Sequence, residues 1–153
     1  CGEKIAARSK ASLEGAPEVA VPEVKFESLK VEFPLRNKNF LKAYQAGMLG
    51  KDVAWTLRED KGEFLLRSEV SALRLGEILF VTVPGEALPE VGKEVYALMN
   101  ARHKFLVGLG QDEVGYILPK ADFDPKKYEE SMSLGPETAP TLLESLNQLL
   151  KGF

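Results

Sequence analysis

Two side chains are of the right kind and in the right places to act together on a ligand. Glu86 sits just past an apolar run, in Val83-Pro84-Gly85-Glu86, and Tyr116 follows a second run, in Asp112-Glu113-Val114-Gly115-Tyr116. A carboxylate and a phenol on one rim can hold a cation or donate to a carbonyl oxygen. The familiar signatures of other chemistries are missing: no G-x-S-x-G elbow, P-loop, G-x-G-x-x-G after a strand, or H-E-x-x-H. The chain has one histidine, His103, and one cysteine, Cys1. A self-contained histidine zinc site, a thiolate metal site and an internal disulfide framework are therefore all excluded.

The elements around these residues must bring them together across 30 positions. Ile78 to Val83 is apolar throughout and reads as a central strand covered on both faces. After Pro84-Gly85, a helix carries Leu88, Val91, Val95 and Leu98-Met99 at spacings of three and four, one stripe facing inward. Phe105 to Leu109 is a second apolar strand. Strand, helix, strand with short connections is a βαβ unit, which predicts two parallel strands joined right-handed. In parallel sheets ligands bind beyond the carboxyl ends of strands. Neighbouring strands lie about 4.8 Å apart, so the two side chains can converge. His103 falls in the helix-to-strand connection, at the opposite strand end.

A plainer reading stands beside this one. Glu86 would lie in the first turn of the helix, where a carboxylate offsets the macrodipole and bonds back to a free N–H. Tyr116 would then be half-buried with its hydroxyl satisfied. Asp112 and Glu113 also have two readings, as loop carboxylates facing solvent or as groups that bond a ligand or orient a water.

The remaining segments complete a mixed α/β chain. The opening stretch to about Leu13 reads as a helix ended by Gly15 and Pro17, with a linker from Pro17 to Pro22. Val24 to Leu35 alternates with a slip at Ser28-Leu29, which predicts a strand carrying a bulge. Asn39 is the expected cap of a helix through Phe40, Leu41, Tyr44 and Met48 that stops near Gly50. Lys51 to Lys61, with Trp55, reads as a surface connection. Glu63 to Leu73 is a strand, Leu75-Gly76-Glu77 a turn and Gln111 to Asp124 a loop. A short helix is expected from about Pro125. A final one from about Thr138 packs a stripe of Leu142, Leu143, Leu146, Leu149 and Leu150.

Composition bounds the possibilities. A chain of 153 residues with 44% hydrophobic and 28% charged residues is enough for one domain with a real core. A net charge of -3 gives no basic footprint for nucleic acid. No apolar run approaches the roughly 20 residues of a membrane span. The start at Cys1 has two readings, a lipoprotein processed at its cysteine or a piece cut from a longer polypeptide. Ile5, Ala6, Ser9 and Leu13 follow at helical spacing where a lipoprotein usually has a polar tether. The second reading is therefore preferred.

From Glu77 to Thr138 the chain resembles the C-terminal part of the catalytic region of the neutral/alkaline (non-lysosomal) ceramidase family. The matching features run in order: a strand followed by Pro84-Gly85-Glu86, then Gly108-Leu109-Gly110-Gln111-Asp112, Gly115-Tyr116, Tyr128-Glu129 and Gly135-Pro136-Glu137-Thr138. The opening Gly2-Glu3-Lys4-Ile5-Ala6 helix resembles the one that precedes this region, so the resemblance extends over residues 1–153. It implies a zinc-dependent amidohydrolase that cleaves the N-acyl amide of a lipid such as ceramide. Glu86 and Tyr116 would be metal ligands, Tyr116 also serving catalysis, and two histidines would come from the N-terminal half of the same protein. Asp112 and Glu113 would lie close by, behind the ligands or against substrate.

Departures accompany the match. Gln111 and Glu113 stand where many relatives have Asn and Tyr, and Glu137 where many have His. They bear on the lipid substrate more than on the metal. Two other readings are a hydrolase of a different amide or ester and a non-catalytic α/β interaction module. A piece lacking its N-terminal half is expected to be inactive alone, to bind zinc weakly, and to self-associate through an exposed apolar face.

Overall fold

A computed structural model describes residues 1–18, 23–48 and 56–153. The elements run α1 (Gly2–Leu13), β1 (Val24–Pro34), α2 (Lys38–Gln45), β2 (Thr56–Asp60), β3 (Glu63–Leu75) and β4 (Ile78–Val83). They continue with β5 (Glu86–Ala87), α3 (Pro89–Leu98), β6 (His103–Gly108), β7 (Tyr116–Ile117), α4 (Tyr128–Ser131) and α5 (Thr138–Leu150). The class is mixed α/β, as the patterning predicts. Five strands form one sheet in the order β1-β3-β4-β6, with β2 beside the first part of β3. All pairs in it are antiparallel except β4 with β6.

The βαβ unit is present with its two strands adjacent, Ile78 opposite His103 and Val83 opposite Gly108. The expected double covering of β4 is not. Leu79, Val81 and Val83 are fully buried, while Ile78, Phe80 and Thr82 are only half-buried. The reason is that α3 and α5 pack on one face of the sheet. There Val31, Phe33, Leu66, Val70, Val81, Val91, Val95, Leu142 and Leu146 form one core. The C-terminal leucine stripe packs as expected, with Leu142, Leu146, Leu149 and Leu150 buried.

The predicted bulge in β1 does not form. Val24 faces Leu75, and each successive pair advances without interruption to Pro34 opposite Leu65. The slip at Ser28-Leu29 is instead a change of face. Leu29, Val31 and Phe33 point to the helix-covered side, whereas Val24 and Phe26 lie on the other side of a straight strand, 67% and 62% exposed. Strand register carries Phe26 to Leu73, Leu73 to Phe80 and Phe80 to Phe105, so the outer face holds a continuous apolar band. The Phe80 and Phe105 rings stack there with centroids 4.9 Å apart.

Three local boundaries also differ from the sequence reading. Asn37, not Asn39, caps α2, its Oδ1 accepting from the Asn39 and Phe40 backbone N–H groups, and the helix stops at Gln45. Part of the expected surface connection is β2, paired along β3 from Thr56 opposite Arg67 to Asp60 opposite Glu63. Trp55 and the rest of residues 51–55, the linker residues 19–22 and Gly50 lie outside the described residues. The late short helix starts at Tyr128 rather than near Pro125. The opening helix α1 is present and buries none of its residues.

Candidate functional site

Pro84, Gly85 and the loop after β6 are knitted together at the carboxyl end of the sheet. The Gly110 N–H donates to the Val83 carbonyl at 3.0 Å, Val114 to Pro84 at 2.8 Å and Leu109 to Gly85 at 3.3 Å. With these carbonyls occupied, the chain leaves β4 extended rather than helical. Glu86-Ala87 forms β5, and α3 begins only at Pro89. The reading that put Glu86 in the first turn of the helix is thereby corrected.

The same loop folds back as β7, parallel to β5, and places Glu86 directly opposite Tyr116. The Glu86 N–H donates to the Gly115 carbonyl at 3.1 Å and the Leu88 N–H to Ile117 at 3.0 Å. Glu86 is exposed and Tyr116 half-buried. The negative charge of Glu86 is the main cause that raises the Tyr116 phenol above its ordinary value, followed by burial and by Tyr128 and Glu129. A side-chain hydrogen bond with Glu86 acts in the same direction. The Tyr128 ring meets the Tyr116 ring edge-on, centroids 6.2 Å apart. Two oxygen donors therefore share one rim, flanked by a second phenol.

The other expected residues take local roles. The Glu113 Oε1 accepts from the Gly115 N–H at 2.8 Å, and the Asp112 Oδ1 accepts from the Glu113 N–H at 3.0 Å. Both carboxylates thus shape the turn that leads into Tyr116. His103 begins β6, opposite Ile78 at the far end of β4 and away from the rim.

Gln111 enters the sequence reading as part of a motif and as a departure from it, and in the structure it anchors the loop. Its Oε1 accepts from the Thr82 hydroxyl at 2.6 Å, and its Nε2 donates to the Ser71 hydroxyl. Leu109 and Gln111 both have left-handed backbones, φ 55° and 71°. Such conformations persist only where the surroundings enforce them. Tyr128 was likewise legible only as part of a motif series, since nothing in its spacing indicates a partner 12 positions earlier.

Among the described residues no group of three or more His, Cys, Asp or Glu side chains could hold a metal ion. Glu86 and Tyr116 fit half of a four-coordinate zinc set, and the other donors would have to come from outside these residues. A described cavity of about 280 Å³ lies elsewhere, lined by Arg36, Asn37 and Glu130 among others.

No protein-family model matches this chain. No curated protein matches it. Among solved structures, a ceramidase complexed with C2 aligns with a TM-score of 0.49 and 18% identity, covering 55% of this chain and 14% of that one. A neutral ceramidase from Pseudomonas aeruginosa aligns with a TM-score of 0.47 and 17% identity, covering 57% of this chain and 16% of that one. Over little more than half of its length this chain is similar to ceramidase structures, and it spans 14–16% of theirs.

Proposed function

We propose that this chain is the C-terminal portion of a ceramidase-like, zinc-dependent amidohydrolase that cleaves the N-acyl amide of a lipid such as ceramide. Residues 1–153 would form a single α/β unit within the larger catalytic domain, with Glu86 and Tyr116 as two of the zinc ligands. The observation that carries this reading is the in-register pairing of Glu86 with Tyr116 across β5 and β7. A carboxylate and a phenol from distant segments stand side by side at the carboxyl end of the sheet, in the order of the motif series. The remaining ligands would be histidines of the N-terminal half of the same protein. When bound, zinc supplies a water with its pKa lowered to about 7 and polarises the scissile carbonyl.

The chain's own residues supply position. Glu113 and Asp112 hold the turn, Gln111 ties the loop to β3 and β4, and Tyr128 lies against the ring of Tyr116. The exposed apolar band on the outer face of the sheet supports the same reading, since contiguous apolar surface of this kind marks a site of contact with other protein. The N-terminal half would cover the band from Phe26 to Phe105.

The test is zinc content and N-acyl lipid hydrolysis in the intact polypeptide, its upstream region included, with Glu86→Gln and Tyr116→Phe. Each variant is expected to lose most of its zinc and its turnover, while residues 1–153 alone bind zinc weakly. Full zinc occupancy in both variants would remove the ligand assignment. Zinc retained by the intact wild type with no hydrolysis of N-acyl lipids, but turnover of simple amides or esters, would move the substrate class.

A further inference from the structure

The hold on the rim begins on β4 itself, at Thr82. The β3–β4 ladder ends with Ala72 opposite Val81. One position further on, the Ser71 N–H donates to the Thr82 hydroxyl oxygen at 2.8 Å. The hydroxyl proton goes the other way, to the Gln111 Oε1 at 2.6 Å; the Ser71 carbonyl is a more distant acceptor at 3.4 Å. The Gln111 Nε2 in turn donates to the Ser71 hydroxyl, which closes a hydrogen-bonded ring of three residues. Backbone packing holds the same spot. A Cβ on Gly110 would stand 2.6 Å from the Thr82 Cβ and 3.0 Å from its Cγ2.

Two arms of chain leave this ring and meet again at the rim. One is the strand end, Val83-Pro84-Gly85, which delivers Glu86. The other runs from Gln111 through Asp112, Glu113, Val114 and Gly115 to Tyr116. The arms rejoin where Glu86 pairs with Tyr116. The Thr82–Gln111 hydrogen bond therefore closes a circuit whose opposite side is the candidate ligand pair. The second arm needs such a closure, because Gln111 has a left-handed backbone, φ 71°, that a residue with a side chain rarely adopts unaided. Ser71 is only 2% exposed, and hydrogen bonds shielded from water are the stronger for it.

We infer that Thr82 is a positioning residue for the Glu86–Tyr116 pair, acting through Gln111 and Ser71 to set how the two side chains face each other. The inference rests on the reading of Glu86 and Tyr116 as zinc ligands and deepens it. Thr82 lies outside the motif series and hydrogen-bonds to neither of them. What the ring requires at this position is a hydroxyl, which accepts one hydrogen bond while donating another. Valine has a similar shape and does neither, whereas serine does both. Groups behind metal ligands typically change metal affinity by about 10–100-fold when they are lost.

Two measurements test it. In residues 1–153, amide exchange of Glu86 and Leu88, whose N–H groups pair β5 with β7, reads the hold on the rim without metal. Thr82→Val should raise it by about tenfold or more relative to Leu146 and Leu149 in α5, and Thr82→Ser should leave it near wild type. Gln111→Met, at an exposed position, should repeat the rise and serves if the valine variant fails to fold. In the intact polypeptide, its upstream region included, Thr82→Val should weaken zinc binding about tenfold or more, with Thr82→Ser again near wild type. Exchange at Glu86 and Leu88 that stays unchanged, rises only in step with α5, or rises equally in Thr82→Ser would overturn the inference. So would zinc binding that Thr82→Val leaves intact while Glu86→Gln abolishes it. Zinc retained in both Glu86→Gln and Tyr116→Phe would instead remove the ligand assignment, and the exchange result would still decide whether Thr82 positions the rim.

Discussion

Gly85 and Gly115 are in contact: a Cβ on Gly85 would stand 2.5 Å from the Gly115 carbonyl oxygen. Gly115, φ 92°, is equally constrained, since a Cβ there would lie 2.2 Å from the Met132 carbonyl oxygen. This approach of bare backbone lets β5 and β7 pair and sets Glu86 opposite Tyr116. Gly85→Ala and Gly115→Ala should each cost at least about 2 kcal/mol, because overlap with fixed backbone cannot be relieved by a rotamer change. Denaturant midpoints check this. A loss below about 0.5 kcal/mol in either variant would mean that the pair of turns relaxes freely.

The charge relationship at the rim predicts a pH response. The Tyr116 phenol is held above its ordinary value, first by the negative charge of Glu86. The unfolded chain therefore gives up this proton at lower pH than the folded one. Its stabilising contribution is full below about pH 10 and is lost as pH rises from there through the raised value. Glu86→Gln should move the Tyr116 titration down toward that of a free tyrosine and flatten this alkaline loss. Phenolate absorbance read against Tyr116→Phe isolates the residue, and an unchanged titration would show that the carboxylate does not act on the phenol.

Gln111 should matter more than an exposed loop residue normally does. Both ends of its amide are engaged, one by Thr82 and the other by Ser71, which is only 2% exposed. Gln111→Ala leaves that serine hydroxyl without its partner and removes a restraint on a left-handed backbone. The expected loss is about 1–3 kcal/mol in thermal or denaturant unfolding. A neutral result would place the hold on this loop in its backbone hydrogen bonds alone.

The two faces of the sheet should respond oppositely to substitution. Leu142→Ala or Leu146→Ala, at fully buried positions, should cost about 2–5 kcal/mol. On the outer face, Phe26→Lys combined with Val107→Lys should change stability by no more than about 1 kcal/mol while weakening self-association of the isolated chain. Sedimentation velocity over a range of concentrations checks the second point. A wild-type chain that stays monomeric throughout would show that the apolar band does not drive association.

Acidification should loosen the β2 edge. The Glu32 carboxylate bonds Arg58 at 2.8 Å and Arg67 at 3.0 Å, and these hydrogen bonds hold it below the usual carboxylate range. A lowered folded-state value contributes stability above the unfolded value and loses it as pH falls through the folded one. Amide exchange in Leu57 to Asp60 should therefore rise at acid pH, and Glu32→Gln should raise it already at neutral pH. Equal exchange in variant and wild type would mean that backbone pairing with β3 alone holds the edge.

Local pattern was enough for much of this molecule. The βαβ unit follows from an uninterrupted apolar run, a stripe at spacings of three and four, and a second run. The closing helix follows from its leucines. Those signals survive because each is enforced by burial against the nearest neighbours in the chain. The placement of Glu86 and Tyr116 on one rim was legible too, as the consequence of two adjacent strand ends.

Tertiary structure decided what depends on the far side of a residue. Val24 and Phe26 look like core positions until the single helical layer is seen to cover the opposite face, so a change of face reads as a bulge. Glu86 looks like a helix start until carbonyls 83 to 85 are taken by N–H groups from residues 109–114. Asn37 outcompetes Asn39 as a cap because its amide also reaches Ser131 and Ser133, 94 and 96 positions away. Short-range periodicity encodes which residues prefer burial; which side is buried, and against what, is settled by contacts between distant segments.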